Sequence, residues 1–126
     1  MHFDDLKSII DPKSDQELNV VSPDWVITKK LNSESNNWFS EEQFNQVFSK
    51  SSELQYPDTV FVFESFERTY KTSGLTKRLT EEFDMNWANF DAFQWSTEIL
   101  FFYMVPKSLN WVLYANRDFW QFAKGN

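Results

Sequence analysis

Carboxylates are the side chains in this 126-residue sequence whose spacing could support chemistry. Nearby pairs could act as a general acid and a general base, or supply oxygen ligands to Mg²⁺ or Ca²⁺. The candidates are Glu64 with Glu67, Glu81 with Glu82 and Asp84, and Asp91 with Glu98. However, the sequence has no loop with the ligand spacing of a calcium site, and adjacent acids on a helix point in different directions. We therefore interpret these acids as a solvated surface with helix-start residues, and keep a carboxylate-dependent hydrolase as an alternative.

Other catalytic and cofactor-binding chemistries lack their usual residues. The chain has no cysteine, and its single histidine, His2, lies at the terminus, where chains are usually mobile. Two glycines, Gly74 and Gly125, are too few for a glycine-rich phosphate loop or a dinucleotide fingerprint. We therefore expect a protein that is not an enzyme, with no catalytic residue, no metal site and no cofactor.

The chain contains six tryptophans, a residue type enriched both in cores and at the energetic centres of interfaces. We expect Trp25, Trp38 and Trp111 in or beside the core. Trp87 and Trp95 lie in an acidic segment and are better candidates for a partner surface, although core membership is the alternative for each. The predicted partner-binding residues are Glu81, Glu82, Asp84, Trp87, Asp91 and Trp95.

The negative charge is unevenly distributed along the chain. The formal net charge is -7, and residues 1 to 66 carry 12 acidic and 5 basic side chains, whereas residues 67 to 126 carry 7 of each. A negative field repels nucleic acids and anionic membranes, and it speeds encounter with a basic partner. The sequence therefore predicts a basic protein partner, with no nucleic acid and no membrane. The alternative is that the charge serves only solubility.

The pattern of apolar residues also bears on the cellular location and the number of domains. No apolar run approaches the roughly 18 residues that a membrane span needs. The first residues lack the basic flank and apolar core of a secretory signal, so we expect a cytoplasmic protein. No linker or internal repeat marks a second domain, and we expect one domain over residues 1 to 126. Whether it is a monomer or a homodimer is left open.

The secondary-structure pattern predicts an α+β fold. Strand-like composition occurs near residues 20–30, 58–66, 97–105 and 110–115. One helix is predicted from Ser40, where Gln43 completes a capping box and Phe39 and Phe44 form a hydrophobic staple. Further helices are predicted within the first ten residues, across 79–95 in two pieces broken near 84–86, and after Asn116 as N-cap. Residues 68–78 are predicted as a hairpin arm or a loop. We expect an antiparallel sheet of about four strands with helices packed on it.

Both faces of that sheet need cover. The strand from Ile99 to Val105 is apolar at both alternating positions, which is typical of a strand buried on two sides. The helices that start at Ser40 and Asn116 can cover one face or both. If they share one face, then the segment 79–95, a second copy of the chain or the partner must cover the other.

The run from Trp111 to Trp120 passes from a tryptophan-bearing strand through Arg117-Asp118 into a predicted terminal helix. It resembles the C-terminal ends of several small bacterial immunity proteins, the cytoplasmic antidotes of polymorphic and contact-dependent toxin systems. The resemblance implies tight, stoichiometric binding to a cognate toxin domain, often through an acidic surface that covers a basic active site. It transfers no binding residue to this chain. The leading hypothesis is an immunity protein that neutralises a basic, nuclease-like toxin. The alternative is a small adaptor or phage-encoded accessory protein without a toxin partner.

Overall fold

An antiparallel sheet of six strands forms the centre of this computed structural model, which describes residues 1–12, 17–31, 41–48, 59–96, 99, 101–116 and 118–125. The strands are β1 (Val26–Leu31), β2 (Thr59–Glu64), β3 (Arg68–Thr69), β4 (Thr76–Lys77), β5 (Thr80–Asp84), β6 (Phe102–Pro106), β7 (Trp111–Ala115) and β8 (Phe119–Lys124). The helices are a 3-10 helix (Phe3–Ser8), α1 (Glu41–Phe48) and α2 (Trp87–Ser96). The sheet order is β1-β8-β7-β6-β2-β5, and β3 pairs with β4 in a separate hairpin.

Helices α1 and α2 cover one face of the sheet. α1 contributes Phe44 and Phe48 to the core, and α2 contributes Phe90 and Phe93. The ring of Phe90 lies 5.5 Å from that of Phe44 and 6.2 Å from that of Phe102 on β6. Alternate strand residues complete this cluster, as the pleat of a sheet requires. They are Val60, Val62, Met104, Trp111, Leu113, Ala115, Trp120 and Phe122.

The N-terminal segment, defined as residues 1–12 and 17–20, covers the opposite face. Leu6, Ile10 and Leu18 are buried there. They pack on the strand residues of the other parity, which are Phe63, Tyr103, Val105, Val112, Tyr114 and Ala123. The backbone N–H of Leu18 also donates to Oε1 of the buried Gln121 on β8, at 2.8 Å. The two-sided burial predicted for β6 is therefore confirmed, but its second cover is the N-terminal segment, and α2 shares the face of α1.

The predicted α+β fold is wrong, because the sheet has six strands and the fold is β-rich. The four predicted strand regions contain β1, β2, β6 and β7. The two additional strands, β5 and β8, occupy stretches that were predicted as helices. The helical content is therefore smaller than predicted, and the sheet is wider.

The side chain of Asn116 explains why a helix was wrongly predicted after β7. Its Oδ1 accepts the backbone N–H groups of Asp118 and Phe119, each at 2.9 Å. These are the hydrogen bonds of an Asx turn, and the same side-chain chemistry caps a helix, so the residue type does not separate the two structures. The turn sends the chain into β8, which pairs with β7 on one side and β1 on the other. Pairing with two neighbours therefore replaces the predicted terminal helix.

The stretch 79–95 is half helix and half strand. The predicted break near residues 84–86 is real, and α2 follows it with Oδ1 of Asn86 accepting the N–H of Asn89 at 2.8 Å. Before the break, residues 80–84 are a strand that pairs with the apolar β2, and its Phe83 packs on the helix-covered core. Long-range pairing of this kind overrides a local helical pattern.

Several local predictions are confirmed. α1 buries Phe44, Val47 and Phe48, and residues 68–78 form the β3–β4 hairpin arm. The predicted N-terminal helix is present as the 3-10 helix. Trp111 is buried and Trp25 is half-buried, as expected for tryptophans in or beside the core. The predicted capping and staple residues Ser40 and Phe39, the side chain of Gln43, and Trp38 lie outside the described residues. Among the helices that the structure describes, none has the length and apolar character to cross a membrane.

Candidate functional site

Strand β5 forms an acidic edge, defined here as Glu81, Glu82 and Asp84. All three side chains are exposed. Among the described strands, β5 pairs only with β2, which leaves it as the last strand on this side of the sheet. The register sets Glu82 opposite Phe61 and Asp84 opposite Thr59, so these two acids lie on the face covered by the N-terminal segment. Glu81 points to the other face, which carries the helices.

Helix α2, which carries the remaining predicted residues, packs against β5. The rings of Phe83 on β5 and Phe93 on α2 lie 5.6 Å apart, which fixes the helix against the strand. Trp95 is 73% exposed, and its indole N–H donates to Oδ1 of Asp91 at 3.1 Å. Trp87 differs from the others, because its ring packs 5.5 Å from that of Phe44 and joins the core. The six predicted residues thus belong to adjoining elements but divide between two faces.

A groove that sequence reasoning missed lies next to the acidic edge, and we call it the Phe61 groove. It consists of two cavities of about 560 and 630 Å³ that share Met1, Phe61 and Lys107. Its other lining residues are Asp4, Asp5, Ser8, Thr59, Glu82, Pro106, Ser108 and Leu109. The groove is therefore formed by the 3-10 helix, β2, β5 and the turn after β6. Among its residues, the sequence pattern pointed only to Phe61, an apolar residue of β2 on the face covered by the N-terminal segment.

Leu109 occupies an unusual backbone conformation in the wall of this groove. Its φ is 54°, in the left-handed region that favours glycine, asparagine and aspartate. The conformation closes the turn after β6, where the N–H of Leu109 donates to the carbonyl of Pro106 at 3.0 Å. The turn therefore keeps an apolar side chain at a position that suits a smaller or polar one.

Glu64, one of the carboxylates considered for catalysis, is the centre of a buried hydrogen-bond network. The residue is 2% exposed. Its carboxylate accepts the Tyr70 hydroxyl, Nε of Arg68 at 2.9 Å and the backbone N–H of Leu79 at 2.8 Å. The guanidinium of Arg78 donates to the carbonyl of Glu64. Both carboxylate oxygens are thus occupied by donors that hold the base of the β3–β4 hairpin arm.

The Tyr70 hydroxyl makes the stability of this network dependent on pH. Burial raises the pKa of Tyr70 above its usual value of 10.0, and donation to Glu64 raises it further, while the N–H of Arg68 opposes the shift. A folded-state pKa above the unfolded value contributes stability that is complete below about pH 10 and is lost as pH rises through the folded pKa.

We expect the free energy of unfolding of the wild type to fall more steeply above about pH 10 than that of Tyr70→Phe, which has no hydroxyl at this site. Denaturant titrations between neutral and strongly alkaline pH measure the difference. The comparison removes the contributions of the other tyrosines, because both proteins contain them. Parallel pH profiles would show that Tyr70 titrates as in the unfolded chain.

The other sequence-predicted carboxylates do not assemble into a metal centre in the part of the chain that is described. Glu67 is exposed, Asp91 accepts the Trp95 indole, and Glu98 lies outside the described residues. Within those residues, no three histidine, cysteine, aspartate or glutamate side chains are grouped so that they could hold a metal ion. Comparison with family models, with curated proteins and with solved structures gave no match to this chain.

Proposed function

We propose that this chain is a non-enzymatic binding protein, of the immunity type, that neutralises a basic toxin domain by binding it at the acidic edge. The observation that carries the proposal is the exposure of Glu81, Glu82 and Asp84 on the last described strand of the sheet. A partner strand can add to such an edge through main-chain hydrogen bonds, while side chains on alternate positions supply specificity. Three carboxylates at this edge select lysine and arginine in the partner.

Trp95 supports the same location. An exposed tryptophan is a common energetic centre of an interface, because it buries a large apolar area and keeps a polar N–H. Here the Asp91 carboxylate already accepts that N–H, so the ring can be covered by a partner without leaving its polar group unsatisfied. The proposed surface is therefore the acidic edge with Asp91 and Trp95, while Trp87 is assigned to the core.

The buried network of Glu64 supports binding over hydrolysis. A catalytic carboxylate must reach a substrate proton or a water molecule, whereas both oxygens of Glu64 face protein donors. Under this proposal the protein acts in the cytoplasm, where an immunity protein meets a toxin that has entered or is being made.

Co-expression with the product of the gene immediately upstream tests the proposal, because immunity genes usually sit beside their toxin genes. We expect a complex that co-purifies at low ionic strength and protection of the cells from that product. Glu81→Gln/Glu82→Gln should weaken the complex by about 10-fold, mainly through slower association, because the acidic edge steers the basic partner.

The matched control is Asp24→Asn/Asp118→Asn, which removes the same amount of charge from exposed residues. These residues lie next to β1 and β8, the two strands at the opposite end of the strand order from β5. It should leave the affinity within about 2-fold of the wild type, since screened distant charges contribute little. Absence of both the complex and the protection would sink the proposal. A complex whose affinity hardly changes with salt would favour the small adaptor, whose acids only keep the edge soluble.

A further inference from the structure

The Phe61 groove combines an apolar floor with an acidic rim. Met1, Phe61 and Leu109 supply apolar surface, and Met1 and Phe61 line both cavities. Asp4, Asp5 and Glu82 are the acids that line the groove, and Lys107 is the one basic side chain among the described residues that line it. Asp4 also pairs with Nζ of Lys7 at the surface, at 3.0 Å, and one carboxylate oxygen of Asp5 accepts the backbone N–H of His2 at 2.9 Å. The volumes of about 560 and 630 Å³ fall within the range of ligand-binding pockets.

The groove is continuous with the acidic edge. Glu82 belongs to both, because it lies opposite Phe61 in the β2–β5 register and also lines one of the two cavities. Asp84, two residues along β5, faces the same side of the sheet. A partner segment that pairs with β5 would lie two strand spacings, about 9.6 Å, from β2, so a large side chain on the face of Glu82 is needed to extend into the groove that Phe61 lines.

We propose that the Phe61 groove receives one large apolar side chain of the basic partner, flanked in that partner by lysine or arginine residues that face Asp4, Asp5 and Glu82. The inference rests on the proposed function and names the recognised segment, a basic strand with a single apolar anchor. Binding energy in interfaces is concentrated in such buried anchors, and a polar rim excludes water around them.

Leu109 lines the groove and also packs against the core on this face of the sheet. A leucine with φ of 54° occupies backbone geometry that an asparagine would adopt more readily. Its side chain, with those of Met1 and Phe61, forms the apolar surface that an anchor would contact.

The test uses two lysine-rich peptides that differ only in a central phenylalanine or alanine, titrated against the intact protein. We expect the phenylalanine peptide to bind about 10-fold more tightly, since part of an aromatic side chain leaves water in the groove. Ser8→Trp, which fills the groove from its exposed rim, should reduce this preference to about 2-fold or less. Leu109→Asn suits the backbone and removes the apolar wall, so it should act in the same direction.

The matched control is Ser73→Trp, the same change at an exposed position of the hairpin arm, which should keep the full preference. Equal affinity of the two peptides for the wild type, no binding of either, or a preference that survives both groove variants would overturn the inference. If the upstream product still forms a salt-sensitive complex in that case, the proposed function stands without the groove. If the peptides behave as expected but no such complex exists, the proposed function fails and the groove remains a site for basic segments.

Discussion

Phe90→Ala is expected to lower the free energy of unfolding by about 3–5 kcal/mol, the largest effect of any single change considered. Phe90 is fully buried between α1, α2 and the sheet. Its ring lies within 5.5 to 6.2 Å of those of Phe44, Trp87, Phe93 and Phe102. Truncation removes the ring from all four neighbours and leaves a cavity that the flat surface of the sheet cannot close. Chemical denaturation measures the loss.

Phe101→Ala is the control for that change. Phe101 is half-buried, and its ring contacts that of Phe66 at 5.6 Å, away from the helices. The same truncation there should cost about 1 kcal/mol, because less apolar surface returns to water and solvent fills the space. Equal losses at the two positions would show that α2 does not pack on the sheet as described.

Glu64→Leu is expected to destabilise the protein by about 2–4 kcal/mol and to loosen the β3–β4 hairpin arm. The change removes the acceptor for the Tyr70 hydroxyl, the Arg68 guanidinium and the Leu79 N–H at once. The value lies below that of a fully buried ion pair, because the Arg68 side chain is 33% exposed and part of its charge is solvated. Hydrogen exchange at the arm amides of Tyr70 and Gly74 should accelerate more than the loss of global stability explains.

Two further variants separate charge from hydrogen bonding at this site. Glu64→Gln keeps an acceptor oxygen for the hydroxyl and the backbone N–H but loses the charge, so it should cost about half as much as the leucine change. Glu67→Leu makes the leucine change at an exposed glutamate three residues along, and should alter the unfolding free energy by about 0.5 kcal/mol or less. Similar losses for Glu64→Leu and Glu67→Leu would argue against the buried network.

The sequence carried enough information to predict strands at β1, β2, β6 and β7 but not at β5 and β8. Ile99 to Val105 is apolar at both parities, which requires burial on two faces wherever the covering elements come from. Residues 80–84 have no such constraint, because only Phe83 needs burial and a helix or a strand could provide it. Pairing with β2 decides between them, and pairing is a property of two distant segments. The same reason explains β8, which is held by β7 and β1 together.

For the candidate site, too, the sequence predicted some features and missed those that depend on contacts between distant segments. Charge predicted that Glu81, Glu82 and Asp84 would be exposed, and they are. The spacing of aromatic residues could not tell Trp87, which packs on Phe44, from Trp95, which is 73% exposed, because which side of α2 faces the sheet depends on how the helix docks. The Phe61 groove is built from four parts of the chain that are separated in sequence, so no local sequence pattern predicts it.

The pairing of β1 with β8 sets the order in which the protein can be completed during synthesis. Val26 pairs with Lys124 and Leu31 with Phe119, so β1 has to wait on the nascent chain until residues 119–124 have left the ribosome. Leu18 waits as well, because its backbone partner is Gln121. Contacts between segments this distant form slowly, and a strand whose backbone N–H and C=O groups lack a partner is prone to aggregation in the meantime. A pause in translation before residue 119 should therefore leave the backbone of β1 unpaired and Leu18, which is buried in the finished protein, accessible to chaperones, and it should keep residues 17–31 of the nascent chain sensitive to protease.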